Sequence, residues 1–290
     1  MGTSASVSGA GPGVPLVPDW VEDIDGIEPS HDEPQENIDG DDSTEDKSSD
    51  EETQEDPPKI PLTPKRRLKT ARQEMGKFAS EGDRSNLRRG VGNYIRSGRG
   101  GTAMAVRRSG GSARRGASLG GIVSGGPAFG DIRERIREAI ASSGDPAMLL
   151  AAIAAAASPN DGTLDSETGQ RAASEALQHV LEMNPEADLL NLNPSERETL
   201  LERFLAIDCY ELFMTEVGKH IQSKVELSEA IDRISEIKNY FCETFRQANQ
   251  RRTAINATSL GRASDTQLNS VCREVIADAY FTFEAYLDGN

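Results

Sequence analysis

The second half of the chain carries the apolar pattern of amphipathic helices. From Phe129 onward, large apolar side chains recur every three or four residues, which is the period of one helix face. A break at Gly144 separates a helix with a stripe of isoleucines from an alanine-rich helix. A second break at Pro159 ends the alanine-rich helix, and a third helix follows over 166–182. The pattern predicts helices joined by short turns, with no convincing strand.

Three further helices have recognisable start signals, in which a capping residue is followed three positions later by a Glu or Gln. These signals are Asn193 with Pro194 and Glu196, Ser223 with Glu226, and Ser264 with Gln267. The inward-facing residues expected for the helix after Ser223 are Leu227, Ile231, Ile234, Phe241 and Phe245. Six helices predict an all-α C-terminal domain over residues 127–290.

Residues 61–126 form a basic segment rich in glycine and arginine. Between 65 and 115 this segment has 15 Lys and Arg but three acidic residues. Two short helices can be drawn, over 83–97 and 101–119. Glycine occupies about one position in five there, and each interior glycine costs on the order of 1 kcal/mol relative to alanine. We therefore expect marginal helices that need a partner surface to become ordered.

Three arginine pairs are the candidate partner-binding residues of the basic segment. They are Arg88 and Arg89, Arg107 and Arg108, and Arg114 and Arg115. Small residues between the pairs allow close approach to an acidic or phosphate-bearing surface. An acidic protein surface is the preferred partner. Nucleic acid is secondary, because Phe78 and Tyr94 are the only aromatic residues between 65 and 115 that could stack on bases.

The first 60 residues contain few large apolar side chains that could build a core. We therefore predict that the N-terminal half of the chain is largely disordered. Residues 1–20 are a flexible tail of Gly, Ser, Ala and Pro that ends in a short apolar stretch with the single Trp. Proline lowers the entropy lost on docking, and Trp supplies a large contact area. The candidate linear motif that inserts into a partner groove consists of Pro15, Leu16, Pro18 and Trp20.

Residues 21–60 are an acidic linker, with 18 Asp and Glu over 19–56 against Lys47. Its self-repulsion and lack of apolar periodicity predict disorder. It can act as a solubilising spacer, as a mask for the basic segment, or as a mimic of nucleic acid. The net charge of −16 therefore describes an acidic and a basic stretch joined to an acidic domain.

Candidate catalytic and metal-binding residues are few. The cysteines, Cys209, Cys242 and Cys272, have no metal-ligand spacing, and their odd number is typical of a reducing cytoplasm. Cys209 and His220 are three helical turns apart, roughly 16 Å, so they cannot share a proton directly. No phosphate-binding loop motif is present. We expect a non-catalytic, cytoplasmic protein with no cofactor and no metal, although a cysteine hydrolase remains a rival hypothesis.

No apolar run approaches the roughly 18–20 residues that span a bilayer, so we expect no membrane partner. Met1-Gly2 favours removal of Met1, which would expose the amine of Gly2. Residues 2–6 also match the loose myristoylation pattern, but one acyl chain beside acidic sequence would hold a membrane only marginally. Gly2 is thus a candidate modification site.

The order of segments resembles the QatB family of the bacterial Qat (QatABCD) anti-phage defence system. The resemblance is carried by MGTSASVSGAGPGVPLVPDW and by PKRRLKTARQEMGKFASEGDRSNLRRGVGNYIRSGRGGTAMAVRRSGGSARRGASLGGIVSGG, and it extends to the helical domain by class. It implies three partners: a QatA-like ATPase, a QatC-like QueC homologue and a QatD-like TatD nuclease. Because a QueC-like enzyme adenylates a carboxylate and delivers it to an amine, we hypothesise that this partner attaches a covalent 7-deazaguanine-type adduct to Gly2. The alternative is a phosphoprotein-like adaptor that binds nucleic acid.

Overall fold

The computed structural model describes residues 66–141, 145–159, 162–255 and 257–289, and no strand occurs among them. Short turns, a π-helical one at Tyr94–Gly98 and a 3-10 one at Pro127–Phe129, join some of the helices. The α-helices of this part are α1 (Lys69–Glu81), α2 (Arg84–Asn93), α3 (Thr102–Arg108), α4 (Gly110–Val123), α5 (Gly130–Ala141), α6 (Pro146–Ala157), α7 (Leu164–Met183), α8 (Pro194–Gln222), α9 (Leu227–Ala254) and α10 (Leu268–Ala285). The prediction of an all-α fold is confirmed.

Helix α8 lies at the centre of the fold. It has 29 residues, and at 1.5 Å per residue it is roughly 44 Å long. It packs against α1, α4, α7 and α9, and therefore buries side chains around most of its circumference. Its buried apolar side chains include Leu200, Leu201, Phe204, Leu205, Ile207 and Phe213.

Aromatic side chains join α8 to α9 and to the turn that follows α2, and they join α9 to α10. The ring centroids of Tyr94 and Phe213 are 4.9 Å apart in an edge-on arrangement. Phe241 of α9 and Phe283 of α10 also have centroids 4.9 Å apart. Such pairs add about 0.5–1.5 kcal/mol beyond the area they bury. The two halves of the sequence therefore share one aromatic core.

The described part of the basic segment differs from the expected marginal helices. Helices α1 to α4 belong to the same core as α8 and α10, and their large apolar side chains are buried or packed against that core, except for the exposed Met104 of α3. The division of the chain falls after Ile60, so the expected boundary at residue 127 lies inside one compact unit. The surface that these glycine-rich helices need is supplied by the chain's own α8 and α10.

Close packing explains the glycines of α4. A Cβ on Gly116 would lie 3.0 Å from Cδ2 of Leu205 and 3.2 Å from Sγ of Cys272. A Cβ on Gly120 would lie 3.0 Å from Leu201 and 3.0 Å from Leu268. The glycines lower helix propensity, but they let α4 approach α8 and α10 at once, and the buried area offsets that cost.

The buried face of α9 was predicted incorrectly at its start. Leu227 is 76% exposed and Ile231 is 56% exposed, whereas Ala230, Ile237 and the following Phe241 are buried. The face that packs on α8 is therefore displaced from the one we expected. The capping prediction here was also wrong, because Ser223 ends α8, and Glu226, the residue before α9, makes no side-chain capping bond.

The start of α8 is confirmed. Asn193 accepts hydrogen bonds from the backbone of Ser195 and Glu196, and the Glu196 side chain accepts one from the backbone of Asn193. Pro194 occupies the first turn, where its missing N–H costs nothing.

Candidate functional site: an arginine-rich surface

Three of the predicted partner-binding arginines project from α3 and α4 into solvent. Arg107 and Arg108 end α3, and Arg114 lies in the first turns of α4. All three are exposed, and none forms an ion pair with a residue of the described chain. We call Arg107, Arg108 and Arg114 the arginine surface.

Local sequence explains why these arginines point outward. Opposite these arginines, the buried side of α3 and of the first turns of α4 consists of small residues, among them Ala105, Ser109 and Ala113. The hydroxyl groups of Ser109 and Tyr280 are 2.9 Å apart and hydrogen-bonded in the interior. The small residues bring the helix backbone against α10, and the long side chains between them remain in water.

Arg115 does not belong to the arginine surface, although the sequence pairs it with Arg114. Its Nη2 donates to Oδ2 of Asp208 at 2.7 Å, and Asp208 is fully buried in α8. Burial raises the pKa of the Asp208 carboxyl, and the charge of Arg115 opposes that effect. Arg115 therefore neutralises a buried carboxylate and joins α4 to α8.

The arginines of α2 and of the following turn are also partly committed within the fold. Arg89 donates to Glu74 of α1 at 3.0 Å. Arg99 pairs with Glu216 of α8 at 3.3 Å and its guanidinium lies over the ring of Tyr94. The first contact joins two helices of the basic segment, and the second attaches that segment to α8. Both reduce the number of arginines free to bind a partner.

Arg88 lies in a different place, beside a cleft between α2 and α9. The cleft has a volume of about 460 Å³ and its lining includes Arg84, Tyr240 and Glu243. Arg88 is exposed, and its guanidinium lies 5.3 Å from the centroid of the Tyr286 ring. The structure thus separates Arg88 from the arginine surface instead of joining the three pairs into one site.

Arg273 was missed by the sequence reasoning. It is exposed on α10, and its Nη2 lies 3.4 Å from the position that a Cβ on Gly110 would occupy, so it reaches over the junction of α3 and α4. No local sequence pattern links Arg273 to the arginine surface, because Arg273 lies 159 positions beyond Arg114 in an acidic region. Only the packing of α10 on α3 and α4 brings it there.

The residues considered for thiol chemistry lie in the core. Cys209 and Cys272 are buried, and desolvation raises the pKa of each thiol to about 12. A thiol with such a pKa is protonated at neutral pH and is a poor nucleophile. Cys242 is half-buried, and burial raises its pKa as well. The arrangement therefore gives the cysteine-hydrolase hypothesis no support.

Among the described residues, no cluster of three or more His, Cys, Asp or Glu side chains could hold a metal ion. In the same part of the chain, no helix is long and apolar enough to cross a membrane. The predicted modification site Gly2 and the motif of Pro15, Leu16, Pro18 and Trp20 lie outside the described residues.

Comparison with protein families identifies the chain. Residues 100–283 match the family model described as "QatB: Qat anti-phage system associated protein QatB". The match runs from the turn before α3 to the last turn of α10, and thus includes the arginine surface. Searches of curated proteins and of solved structures found no significant match. The chain belongs to the QatB family, whose members are associated with the Qat anti-phage system.

Proposed function

We propose that this chain is a non-catalytic docking subunit of its anti-phage system, which binds acidic surfaces of partner proteins through Arg107, Arg108 and Arg114. The observation that carries the proposal is the contrast between these side chains and their neighbours. Arg89, Arg99 and Arg115 each have a carboxylate partner inside the fold, whereas the arginine surface has none among the described residues. Guanidinium groups bind carboxylates strongly and with defined geometry, which suits an interface.

The partners we propose are a QatA-like ATPase, a QatC-like QueC homologue and a QatD-like TatD nuclease. In this role the helical body is a scaffold that holds a partner by charge complementarity. Family membership supports an assembly of several proteins, and the arginine surface supplies a contact for one of them.

Co-purification from cells tests docking. The tagged chain, co-expressed with the other proteins of its system, is compared with Arg107→Glu/Arg108→Glu/Arg114→Glu. A control reverses two exposed arginines elsewhere, Arg135→Glu/Arg262→Glu. We expect the triple variant to lose at least one partner while the control retains all of them. Full recovery of every partner by a folded triple variant contradicts the proposal.

We propose further that Gly2 receives a covalent 7-deazaguanine-type group from the QueC-like partner. Removal of Met1 leaves a small, unhindered amine, and the Gly and Pro residues that follow can carry it into an active site. The amine would attack an acyl-adenylate of the modifying group, forming an amide as AMP leaves. Pro15, Leu16, Pro18 and Trp20 would bind the partner close by.

Mass spectrometry of the intact protein, with and without the QueC-like partner, tests this modification. We expect a mass increase confined to the N-terminal peptide and dependent on the partner. An identical N-terminal peptide in both preparations excludes it.

The alternative is an adaptor that binds nucleic acid through the same arginines. It predicts a mobility shift of nucleic acid whose affinity falls steeply with salt, because bound phosphates release counterions. A shift abolished by the triple variant, with protein partners retained, favours this alternative.

A further inference from the structure

The solvent-exposed side of α3 and α10, called the outer side below, carries both cationic and apolar side chains: Met104, Arg107, Arg108, Arg273 and Phe281. Met104 is 38% exposed on α3, one helical turn before Arg107 and Arg108, and shares their face by helix geometry. On α10, which packs against α3, Phe281 is 67% exposed. Eight residues separate Phe281 from Arg273, so the two lie about 12 Å apart along the axis on neighbouring strips of α10.

The carboxylates of α10 already have partners. Glu284 accepts hydrogen bonds from the backbone and hydroxyl of Thr102, at 2.9 and 2.7 Å, and pairs with Arg96. Glu274 and Asp278 both pair with Arg252 of α9. Each acid of α10 therefore has a cationic partner other than Arg273, Arg107 and Arg108, and these three arginines form no ion pair with a described residue.

Arginine, methionine and phenylalanine are the kinds of side chain enriched in protein interfaces. A large exposed aromatic ring loses water on binding and commonly acts as an anchor, while arginines around it select the charge of the partner. Pure nucleic-acid tracking needs the cations alone or a row of stacking rings. The mixed character of this side favours a protein.

We infer that Met104, Arg107, Arg108, Arg273 and Phe281 form one docking face, and that its occupant is a partner segment bearing both carboxylates and large apolar side chains. The inference rests on the proposed docking function and adds Arg273 and two apolar side chains, Met104 and Phe281, to it. Carboxylates of the segment pair with the guanidinium groups, and its apolar side chains cover Phe281 and Met104.

The two kinds of contact respond differently to salt, and this makes them separable. Attraction between exposed charges weakens as ionic strength rises, since the screening length falls from about 10 Å at 0.1 M to about 3 Å at 1 M. Burial of apolar surface is not screened in this way. A charge variant should therefore lose affinity mainly at low salt, and an apolar variant at both low and high salt.

Two synthetic peptides of equal length serve as probes in fluorescence anisotropy. Both carry glutamates at the same positions, and the remaining positions are leucine in one and serine in the other. The full-length protein is compared with Phe281→Ser, with Met104→Ser and with Arg107→Glu/Arg108→Glu. The matched controls are Ile255→Ser, which changes a residue 76% exposed on another element, and Arg262→Glu. Circular dichroism confirms that each variant is folded.

We expect the leucine peptide to bind more tightly than the serine peptide. Phe281→Ser should weaken binding of the leucine peptide about tenfold, both at about 0.1 M and at about 1 M salt. Arg107→Glu/Arg108→Glu should weaken both peptides, chiefly at low salt, and the controls should have little effect. This pattern supports the docking face.

Equal binding of the two peptides, or wild-type affinity in Phe281→Ser, overturns the face but leaves the arginine surface and the proposed docking function standing. Loss of no partner in the co-purification experiment defeats the docking function itself. Binding of neither peptide also overturns the inference. Tighter, Phe281-dependent binding of a single-stranded oligonucleotide of equal charge would instead assign the face to nucleic acid.

Discussion

Individual charged residues have different roles here depending on what the fold places beside them. Arg114 and Arg115 are adjacent in sequence, but the first is exposed and the second bonds to a fully buried carboxylate. The sequence predicted both as partner-binding residues, because adjacency alone does not reveal which side of a helix is covered. Burial turns Arg115 into a structural cation.

Replacement of Arg115 by alanine should destabilise the protein by about 3–5 kcal/mol, because it leaves the buried Asp208 carboxyl without its cationic partner. Urea unfolding followed by circular dichroism measures this loss. Arg114→Ala is the matched control and should change stability by less than about 0.5 kcal/mol. Equal effects of the two changes would show that the Arg115–Asp208 pair contributes nothing to stability.

Glu202 of α8 gives the protein a dependence on pH. Burial raises the pKa of its carboxyl to about 7 although Asn249 donates a hydrogen bond to it, while Glu198 raises this pKa further and Arg246 lowers it. An acid whose pKa is raised in the folded state binds more protons when folded. Its destabilising effect therefore appears as pH rises from about 4.5, the unfolded value, through about 7.

Glu202→Gln should accordingly stabilise the protein at pH 8 by roughly 2 kcal/mol and have a much smaller effect at pH 4.5. Thermal or urea unfolding at both pH values gives the comparison. Glu138→Gln, on the exposed side of α5, should show no such difference. A pH-independent gain would mean that the carboxyl of Glu202 ionises normally in the folded protein.

At the scale of elements, the helices with strong apolar periods were predictable and the glycine-rich ones were not. Helix α7 was expected over 166–182 and is observed at Leu164–Met183. The start of α8 was also correct, because its capping box is local chemistry. Helix α4 has weak local propensity, so its stability depends on contacts with α8 and α10 that are distant in sequence.

A valine at position 116 should destabilise the protein by about 1–3 kcal/mol, because the space beside Gly116 is already filled by Leu205 and Cys272. Gly130→Ala is a suitable contrast, since no atom beyond its chain neighbours and its own helix backbone lies within 4 Å of the added Cβ. That change should be neutral or stabilising. Thermal unfolding of both variants checks the pair, and tolerance of Gly116→Val would show that α4 can move away from α8.

Over the whole molecule, the structure joins the described basic segment to the C-terminal helices in one unit. Phe78, Tyr94, Leu119 and Ile122 all come from α1 to α4 and the intervening turn, and all are fully buried. A domain that begins at residue 127 would lack this part of its core. The family match, which starts at residue 100, likewise extends across that position.

The fragment 127–290 should therefore show no cooperative thermal transition, whereas 61–290 should unfold cooperatively. Circular dichroism as a function of temperature compares the two. The physical reason is the apolar surface of α8 and α10 that loss of α1 to α4 exposes to water. A cooperative transition of 127–290 at the temperature of the longer fragment would support the boundary predicted from the sequence.

The sequence by itself determined the helical class, the main breaks between the C-terminal helices and the resemblance to an anti-phage family, because periodicity, caps and motifs are local. Tertiary structure alone decided which of the predicted arginines form no ion pair within the described chain. It also placed Arg273 beside the junction of α3 and α4, and it included α1 to α4 in the core. Those outcomes depend on contacts between residues far apart in the chain, and no local pattern records them. In this protein, small residues and glycines brought the helices close enough for distant charges to pair or to gather at one surface.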